Sequence, residues 1–192
     1  MADWTRLRYV VVDIEGNGQQ PPDLVELGLV SIVDGAIGTP STWLVRPGRL
    51  IAPMAQRIHG IRNEDVADAP VFADIRSDVL QAIEGASLVA HNAGVDVGVL
   101  QRTLGDWQRP EVFDTLKLAR RLLPGQASYR LGALVDAFGL AVALSDGLMP
   151  HRATYDVLVT ARLFVHIAGS RSLEELRGLP PEGDSDEAAT LF

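Results

Sequence analysis

The feature that most constrains the fold is a short apolar run that leads directly into two acidic residues. Residues 6–13, with Tyr9 to Val12 at their centre, predict a central strand, because continuous apolarity indicates burial on both faces. Asp13 and Glu15 follow at the end of the run, and alternate residues of a strand share one face. Two carboxylates so close repel each other unless a cation lies between them. The pair therefore indicates either a metal site or a solvent-exposed strand edge where acids are harmless.

The other hydrophobic patterns predict an α/β fold with a mixed central sheet flanked by helices. Residues 24–33 and 42–46 predict two further strands, which form an antiparallel meander with the first. Beyond them, helical patterns alternate with one more strand at residues 87–91, which favours parallel pairing in the same sheet. The predicted helices cover residues 71–84, 93–104, 114–122, 130–138 and 153–168.

Two more segments carry candidate functional residues at the starts of helices. Asp96 lies in a first helical turn, just after the strand-to-helix corner formed by His91 and Asn92. His151 lies on a loop, and Asp156 follows in the first turn of the last predicted helix. Each has an ordinary alternative: an acid there stabilises the helix dipole by roughly 0.3–1 kcal/mol, and a histidine before a helix is usually a surface residue. Taken singly, none of these segments identifies a site.

Together, the segments around Asp13, Asp96 and Asp156 resemble the three motifs of the DnaQ-like DEDDh 3′→5′ exonucleases. That family includes the proofreading epsilon subunit of the bacterial replicative polymerase. His151 stands five residues before Asp156, as in the DEDDh group, whereas the DEDDy group has a tyrosine where this chain has Arg152. The resemblance implies a ribonuclease H-like fold. It extends over residues 7–167 and includes connecting segments at 25–28, 57–61, 113–116 and 128–134.

The resemblance also implies an active site with two divalent metal ions, Mg²⁺ or Mn²⁺. Asp13, Glu15 and Asp156 would hold one ion, and Asp13 would bridge to a second ion supported by Asp96. Such ions stabilise both the attacking and the leaving oxygens of an in-line displacement. His151 would act as the general base toward water, and 5′-mononucleotides would leave from a free 3′ end.

The loop after the first motif departs from the family pattern. Most relatives have two threonines after the first glutamate, whereas this chain has Gly16 and Asn17, followed by Gly18. We expect a more flexible loop and an altered contact with the terminal nucleotide. His91 and Asn92 are further candidates for substrate contact, because active-site groups gather at such corners.

The formal charge of −8 is unusual for a protein that contacts phosphates. Four of the excess acids lie in residues 180–192, and the four predicted metal ligands account for the rest, so the remaining surface is formally neutral. The net negative charge therefore argues only weakly against a nucleic-acid substrate. We expect DNA with single-stranded or frayed 3′ ends as the substrate. An RNA-trimming 3′→5′ exonuclease and a non-catalytic polymerase- or nucleic-acid-binding module remain alternatives.

The chain divides into a predicted exonuclease domain over residues 1–178 and a flexible acidic tail over 179–192. The tail ends in Leu191-Phe192, and it resembles peptides by which bacterial replication proteins bind the sliding clamp, without their usual leading glutamine. A sliding clamp or a DNA polymerase is therefore a candidate partner. The sequence has no cysteine, no signal-peptide pattern and no apolar run of membrane-spanning length, so we expect a cytoplasmic protein without membrane contact.

Among the remaining polar residues, Glu26 stands in an apolar strand, and a buried hydrogen bond near the site is one interpretation of it. Asp114 is expected to cap a helix. Tyr155 is expected to pack away from the site, and His59 to be a packing or surface residue.

Overall fold

The computed structural model describes residues 2–178, so the expectations for the acidic tail and its partner-binding peptide lie outside the described residues. Six strands form one sheet: β1 (Tyr9–Gly16), β2 (Leu24–Val33), β3 (Ala36–Ile37), β4 (Ser41–Leu44), β5 (Ser87–Ala90) and β6 (Val112–Asp114). Within the same described range, seven helices accompany them: α1 (Pro53–His59), α2 (Phe72–Ile83), α3 (Gly94–Leu104), α4 (Thr115–Leu122), α5 (Leu131–Phe138), α6 (Ala153–Ala168) and α7 (Leu173–Arg177). Two short 3₁₀ turns cover Asp3–Arg6 and Glu64–Val66.

The sheet is mixed, with β1 at its centre. β1 pairs antiparallel with β2 and parallel with β5, while β6 extends the parallel side. On the other side, β3 and β4 both pair with β2 and complete the antiparallel meander. This arrangement confirms the predicted α/β fold with a mixed sheet.

Each face of the sheet is covered by helices. Tyr9 and Val11 point into a core shared with α6, while Val10 and Val12 point into a core shared with α2 and α3. All four side chains are at most 2% exposed, which confirms that β1 is buried on both faces. Only past Val12 does the strand become partly accessible, and the acidic residues lie there.

The first strand starts later than predicted. It begins at Tyr9 rather than at residue 6, because Asp3–Arg6 forms a 3₁₀ turn that buries Trp4 against the core. The sequence patterns also missed β3, β6, α1 and α7, which have between two and seven residues each. Elements this short carry little periodic signal and are held by tertiary contacts instead. Among the described residues, no helix is long and apolar enough to cross a membrane.

The start of α6 lies directly against the backbone of β2. A Cβ atom added to Gly28 would be 2.6 Å from the carbonyl oxygen of Ala153, closer than real Cβ atoms approach backbone atoms. Gly28 pairs with Asp13 across β1 and β2. The absence of a side chain at this position therefore allows α6 to begin beside the strand pair that carries the acidic residues.

Candidate active site

Three structural elements bring the predicted site residues together. Asp13 and Glu15 lie at the end of the central strand β1, Asp96 in the first turn of α3, and Asp156 in the first turn of α6. His151 precedes α6 on an exposed loop and has a positive φ of 61°. Because α3 follows β5 and α6 crosses the β1–β2 pair, their first turns lie at the same edge of the sheet. A cleft of about 1090 Å³ opens there, and Asp13, Glu15, His91, Asn92, His151 and Asp156 all line it.

Asp13 lies near two groups of site residues. Glu15, His151 and Asp156 each offer one ligand atom, and these atoms lie within 4.8 Å of one another. Asp96 lies deeper, and its Oδ1 accepts a hydrogen bond of 3.1 Å from the backbone N–H of Ile14. The negative charges of Asp96, Asp156 and Glu15 all act on the pKa of Asp13, so Asp13 lies near both groups.

One oxygen of this cluster lacks any partner. The Oδ2 atom of Asp13 is buried and has no hydrogen bond to any residue in the range 2–178. Leaving a buried polar atom unsatisfied costs roughly 1–3 kcal/mol, and more if the group is charged. Carboxylate oxygens are the ligands that Mg²⁺ prefers and that Mn²⁺ also binds. The donor set therefore fits a hard divalent cation.

Burial changes how the cluster holds protons. It raises the pKa of Glu15 to about 8 and the pKa of Asp96 to about 7, and neighbouring carboxylates add to both shifts. Burial also raises the pKa of Asp156 to about 6, against an opposing effect of the nearby His151, and it raises the pKa of Asp13 well above its usual value. Without a cation, the cluster retains protons near neutral pH.

Glu26 fixes the start of the helix that carries Asp156. Its side chain is 2% exposed, and its Oε2 accepts hydrogen bonds from Ala153 N (2.9 Å) and from Arg152 Nε (3.1 Å). Its Oε1 accepts a third hydrogen bond from Arg152 Nη2 (2.6 Å). The residue before α6 provides no side-chain cap, so Glu26 on β2 satisfies one of the free amide groups of this helix end. The interpretation of Glu26 as a buried hydrogen-bonding residue near the site is confirmed, and its contacts hold Arg152 and Ala153, which lie between His151 and Asp156 in the chain.

The loop after Glu15 is braced, not flexible as expected. Asn17 is fully buried, its amide nitrogen donates to Asp23 Oδ2 (3.0 Å), and its amide oxygen accepts from Asp23 N (2.9 Å) and Gln19 N (3.1 Å). Arg49 closes the arrangement through an ion pair of 2.7 Å with Asp23 and through hydrogen bonds that hold the pKa of Asp23 low. Gly18, with φ of +74°, packs against α1. The polar atoms of Asn17 are occupied by Asp23, by Gln19 and by the carbonyl oxygen of Arg49, so this side chain fixes the shape of the loop beside the site.

His91 and Asn92 lie at the corner between β5 and α3, as predicted, and both line the cleft. The ring of His91 is bonded on both sides: Nε2 lies 3.0 Å from the carbonyl oxygen of Tyr129, and Nδ1 lies 3.0 Å from Thr115 Oγ1. A carbonyl only accepts, so Nε2 carries the proton. The Thr115 hydroxyl, which pairs with Nδ1, also lies 3.3 Å from the carbonyl oxygen of Ala90. Burial lowers the pKa of His91, which agrees with this neutral tautomer. His91 therefore ties the segment around Tyr129 to the corner.

Three further residues with sequence-based expectations are Asp114, His59 and Tyr155. Asp114 caps α4, because its Oδ1 accepts from Leu116 N (3.0 Å) and Lys117 N (3.4 Å), which confirms the predicted cap. His59 is buried, and its Nδ1 accepts from Ile61 N (3.0 Å). Tyr155 packs against the core as expected but also lines the cleft, so the expectation that it points away from the site is wrong in part.

Sequence reasoning missed one wall of the cleft. That wall is formed by α4 and by the segment that leads into α5, and it includes Leu116, Arg120, Ser128, Tyr129, Arg130 and Leu131. The family resemblance includes residues 113–116 and 128–134, which contain all of these residues except Arg120, but it implies no role for any of them. Arginine and leucine at helix ends are common throughout proteins, and only their position in the cleft distinguishes these side chains.

Comparison with known proteins agrees with this geometry. Residues 10–164 match the RNase T family model, described as an exonuclease family. The chain is 40% identical over 158 residues to exodeoxyribonuclease 10 of Escherichia coli K12, covering 82% of this chain and 67% of that protein. It is 32% identical over 177 residues to the DNA polymerase III subunit epsilon of Rickettsia felis, covering 86% and 76%. Among solved structures, it resembles exonuclease X in complex with 5′-overhanging duplex DNA, with 38% identity, a TM-score of 0.69, and coverage of 84% and 91%.

The raised pKa values predict how stability varies with pH in the absence of metal. The folded pKa values of Glu15 (about 8), Asp96 (about 7) and Asp156 (about 6) lie above the values of 3.8–4.5 typical of exposed carboxyls. The folded state therefore binds more protons than the unfolded state between these limits, and stability falls as pH rises from about 4 to about 8. We expect the thermal midpoint in EDTA to decrease over this range. Mn²⁺ should raise the midpoint most at the alkaline end, because it binds the ionised ligands of the native state.

The control for this measurement is Asp13→Asn, which removes the central charge and should reduce both the pH dependence and the effect of Mn²⁺. A wild-type midpoint in EDTA that is independent of pH and unaffected by Mn²⁺ would contradict this interpretation of the cluster.

Glu26→Gln should lower the free energy of unfolding by roughly 1–3 kcal/mol, because hydrogen bonds to a buried charged group are lost. It should also lower exonuclease activity, since the start of α6 loosens beneath His151 and Asp156. The matched control is Glu111→Gln, which disrupts the half-exposed ion pair with Arg177 (2.7 Å) and should cost less than about 1 kcal/mol. Urea denaturation of the two variants measures the difference, and equal losses would contradict the proposed role of Glu26.

Proposed function

The chain belongs to the RNase T exonuclease family, and on that premise we propose that it is a metal-dependent 3′→5′ exonuclease that releases 5′-mononucleotides from DNA. The observation that carries the proposal is the convergence of Asp13, Glu15, Asp156 and His151 at one cleft, with Asp96 bonded to the backbone of Ile14 beside them. We assign the activity to the domain of residues 1–178.

DNA is the favoured substrate because the relatives point to it. The names of the similar proteins include an exodeoxyribonuclease and a DNA polymerase subunit, and the similar solved structure holds duplex DNA with a 5′ overhang. A 5′ overhang leaves a recessed 3′ end, so paired as well as single-stranded 3′ ends are candidate substrates. A polymerase is a possible partner on the same grounds.

The donor set supports two cation positions. Asp13, Glu15 and Asp156 would hold one divalent ion, and Asp13 with Asp96 would hold the second. When bound, such ions stabilise the attacking and leaving oxygens of the displacement. The proximity of Asp13 to Asp96, Asp156 and Glu15, and its unpartnered Oδ2, support the proposal that it is the shared ligand.

His151 is proposed as the general base that accepts the proton of the attacking water. Its imidazole is exposed at the cleft, where it can reach both solvent and substrate. A neutral imidazole is suited to this role near neutral pH. The same ring lies within 4.8 Å of ligand atoms of Glu15 and Asp156, so direct metal ligation is the competing role. The two roles predict different properties for a variant that lacks this imidazole. If His151 is the general base, the variant still binds the metal; if His151 is a ligand, metal binding is weakened.

The test uses DNA labelled at either the 3′ or the 5′ end, in single-stranded, paired and mispaired forms, together with RNA of the same sequence. We expect Mn²⁺- or Mg²⁺-dependent release of the 3′ label as a mononucleotide, while the 5′ label remains on progressively shorter strands. Asp13→Ala should abolish the reaction. His151→Ala should lower kcat by about 10²–10⁴-fold and retain the Mn²⁺-induced rise in thermal midpoint.

Several outcomes would contradict the proposal. Release of the 5′ label first would reverse the polarity, and full activity of Asp13→Ala would exclude the carboxylate site. Shortening of RNA but not of DNA would replace the proposed substrate. Loss of the Mn²⁺ response in His151→Ala would make this residue a ligand.

A further inference from the structure

Two arginines line the same cleft as the carboxylates. Arg120 lies in the last turn of α4, and Arg130 immediately precedes α5. Within residues 2–178, neither guanidinium forms a hydrogen bond or an ion pair, and both residues are exposed. By contrast, neighbouring arginines are engaged: Arg121 donates to the carbonyl oxygens of Glu175 and Leu176, and Arg162 to those of Leu140 and Val142. Two cations in an otherwise acidic cleft are thus available for a ligand.

Each arginine stands beside an apolar side chain that also lines the cleft. Leu116 precedes Arg120 by four residues, so the two share one face of α4. Leu131 follows Arg130 at the start of α5 and is partly buried. This wall therefore offers positive charge and apolar surface together, the combination that a nucleotide's phosphate and base require.

The wall is held in place by residues that take no part in the proposed chemistry. His91 bonds to Thr115 at the start of α4 and to the carbonyl of Tyr129, the residue before Arg130. The positive charge of Arg120 is close enough to contribute to the lowered pKa of His91, although burial contributes more. The backbone of Arg130 is further fixed by a hydrogen bond of 3.3 Å from its N–H to Ser128 Oγ. Both arginine backbones are thus anchored to the β5–α3 corner, next to the carboxylates.

A DNA strand whose 3′ end lies at the carboxylates must place its preceding phosphates along the cleft. These phosphates need positive charge, because the cleft carboxylates repel them where no metal ion intervenes. Asp136 is a further carboxylate that lines the cleft. It lies near Tyr155, because its negative charge contributes to the raised pKa of that residue. A guanidinium suits the task because it binds two phosphate oxygens at once.

We propose that Arg120 and Arg130 form a phosphate-binding subsite for the phosphodiesters that precede the scissile one in the DNA strand. The subsite makes the enzyme prefer a 3′ end that continues into at least one further nucleotide over an isolated nucleotide ester. This inference rests on the proposed function, and it adds the residues that hold the strand.

The test compares two substrates with the same reacting group. One is a single-stranded oligodeoxynucleotide; the other is thymidine 5′-(p-nitrophenyl phosphate), which has one phosphodiester and no preceding phosphate. We expect Arg120→Ala and Arg130→Ala each to lower kcat/KM on the oligonucleotide about ten-fold more than on the ester, mainly through KM. The salt dependence of log KM should decrease by roughly 0.7 for each arginine removed.

Two further variants serve as controls. Arg130→Lys retains the charge, so it should restore the wild-type salt dependence and part of the loss in KM. Arg109→Ala removes an exposed arginine in the loop before β6, which lies at the opposite end of that strand from the cleft, and it should leave both substrates unaffected.

The inference is overturned if the two alanine variants lose activity equally on both substrates, or if the salt dependence is unchanged. It is also overturned if Arg109→Ala has the same effect as they do. These results are distinct from failure of the proposed function, in which the wild-type protein hydrolyses neither substrate.

Discussion

The mutual repulsion of four carboxylates is the constraint on which the rest of this structure depends. Asp13, Glu15, Asp96 and Asp156 are held near one another in a partly desolvated cleft, and burial raises the pKa of each. Folding alone gains nothing from such an arrangement, since exposed acids would cost less. Protonation or a bound cation offsets this cost, and only a cation does so while the carboxylates stay ionised, so the cluster supports the proposed metal site.

The surrounding fold provides the stability that this cluster lacks. The acids follow a strand whose preceding residues are buried on both faces, and α6 begins against the bare backbone at Gly28. Glu26 then fixes the first amide of α6 with a buried carboxylate that is fully hydrogen bonded. Asn17 and Asp23 brace the loop on the other side. The site residues themselves therefore need few stabilising contacts of their own.

Much of the fold and of the site could be predicted from the sequence, because the informative signals were local. The run before Asp13 indicated a buried strand, and the spacing of His151 and Asp156 matched a family motif. What sequence could not predict depends on distant contacts. The bond between Glu26 and Ala153 N joins residues 127 positions apart, and the loop at Asn17 is braced by Arg49. The two glycines beside Asn17 suggested a flexible loop, but hydrogen bonds across the loop hold it in place. Arg120 and Arg130 carried no local signal, because only tertiary structure brings them to the cleft.

The most direct test of the central claim is a calorimetric titration of the metal-free protein with Mn²⁺ at pH 8, above the pKa values of Asp96 (about 7) and Asp156 (about 6). We expect saturable binding of two ions per chain, with proton release, and the loss of at least one ion in Asp13→Asn, because this residue is the proposed shared ligand. Unaltered binding in Asp13→Asn, or no saturable binding in the wild-type protein, would contradict the account.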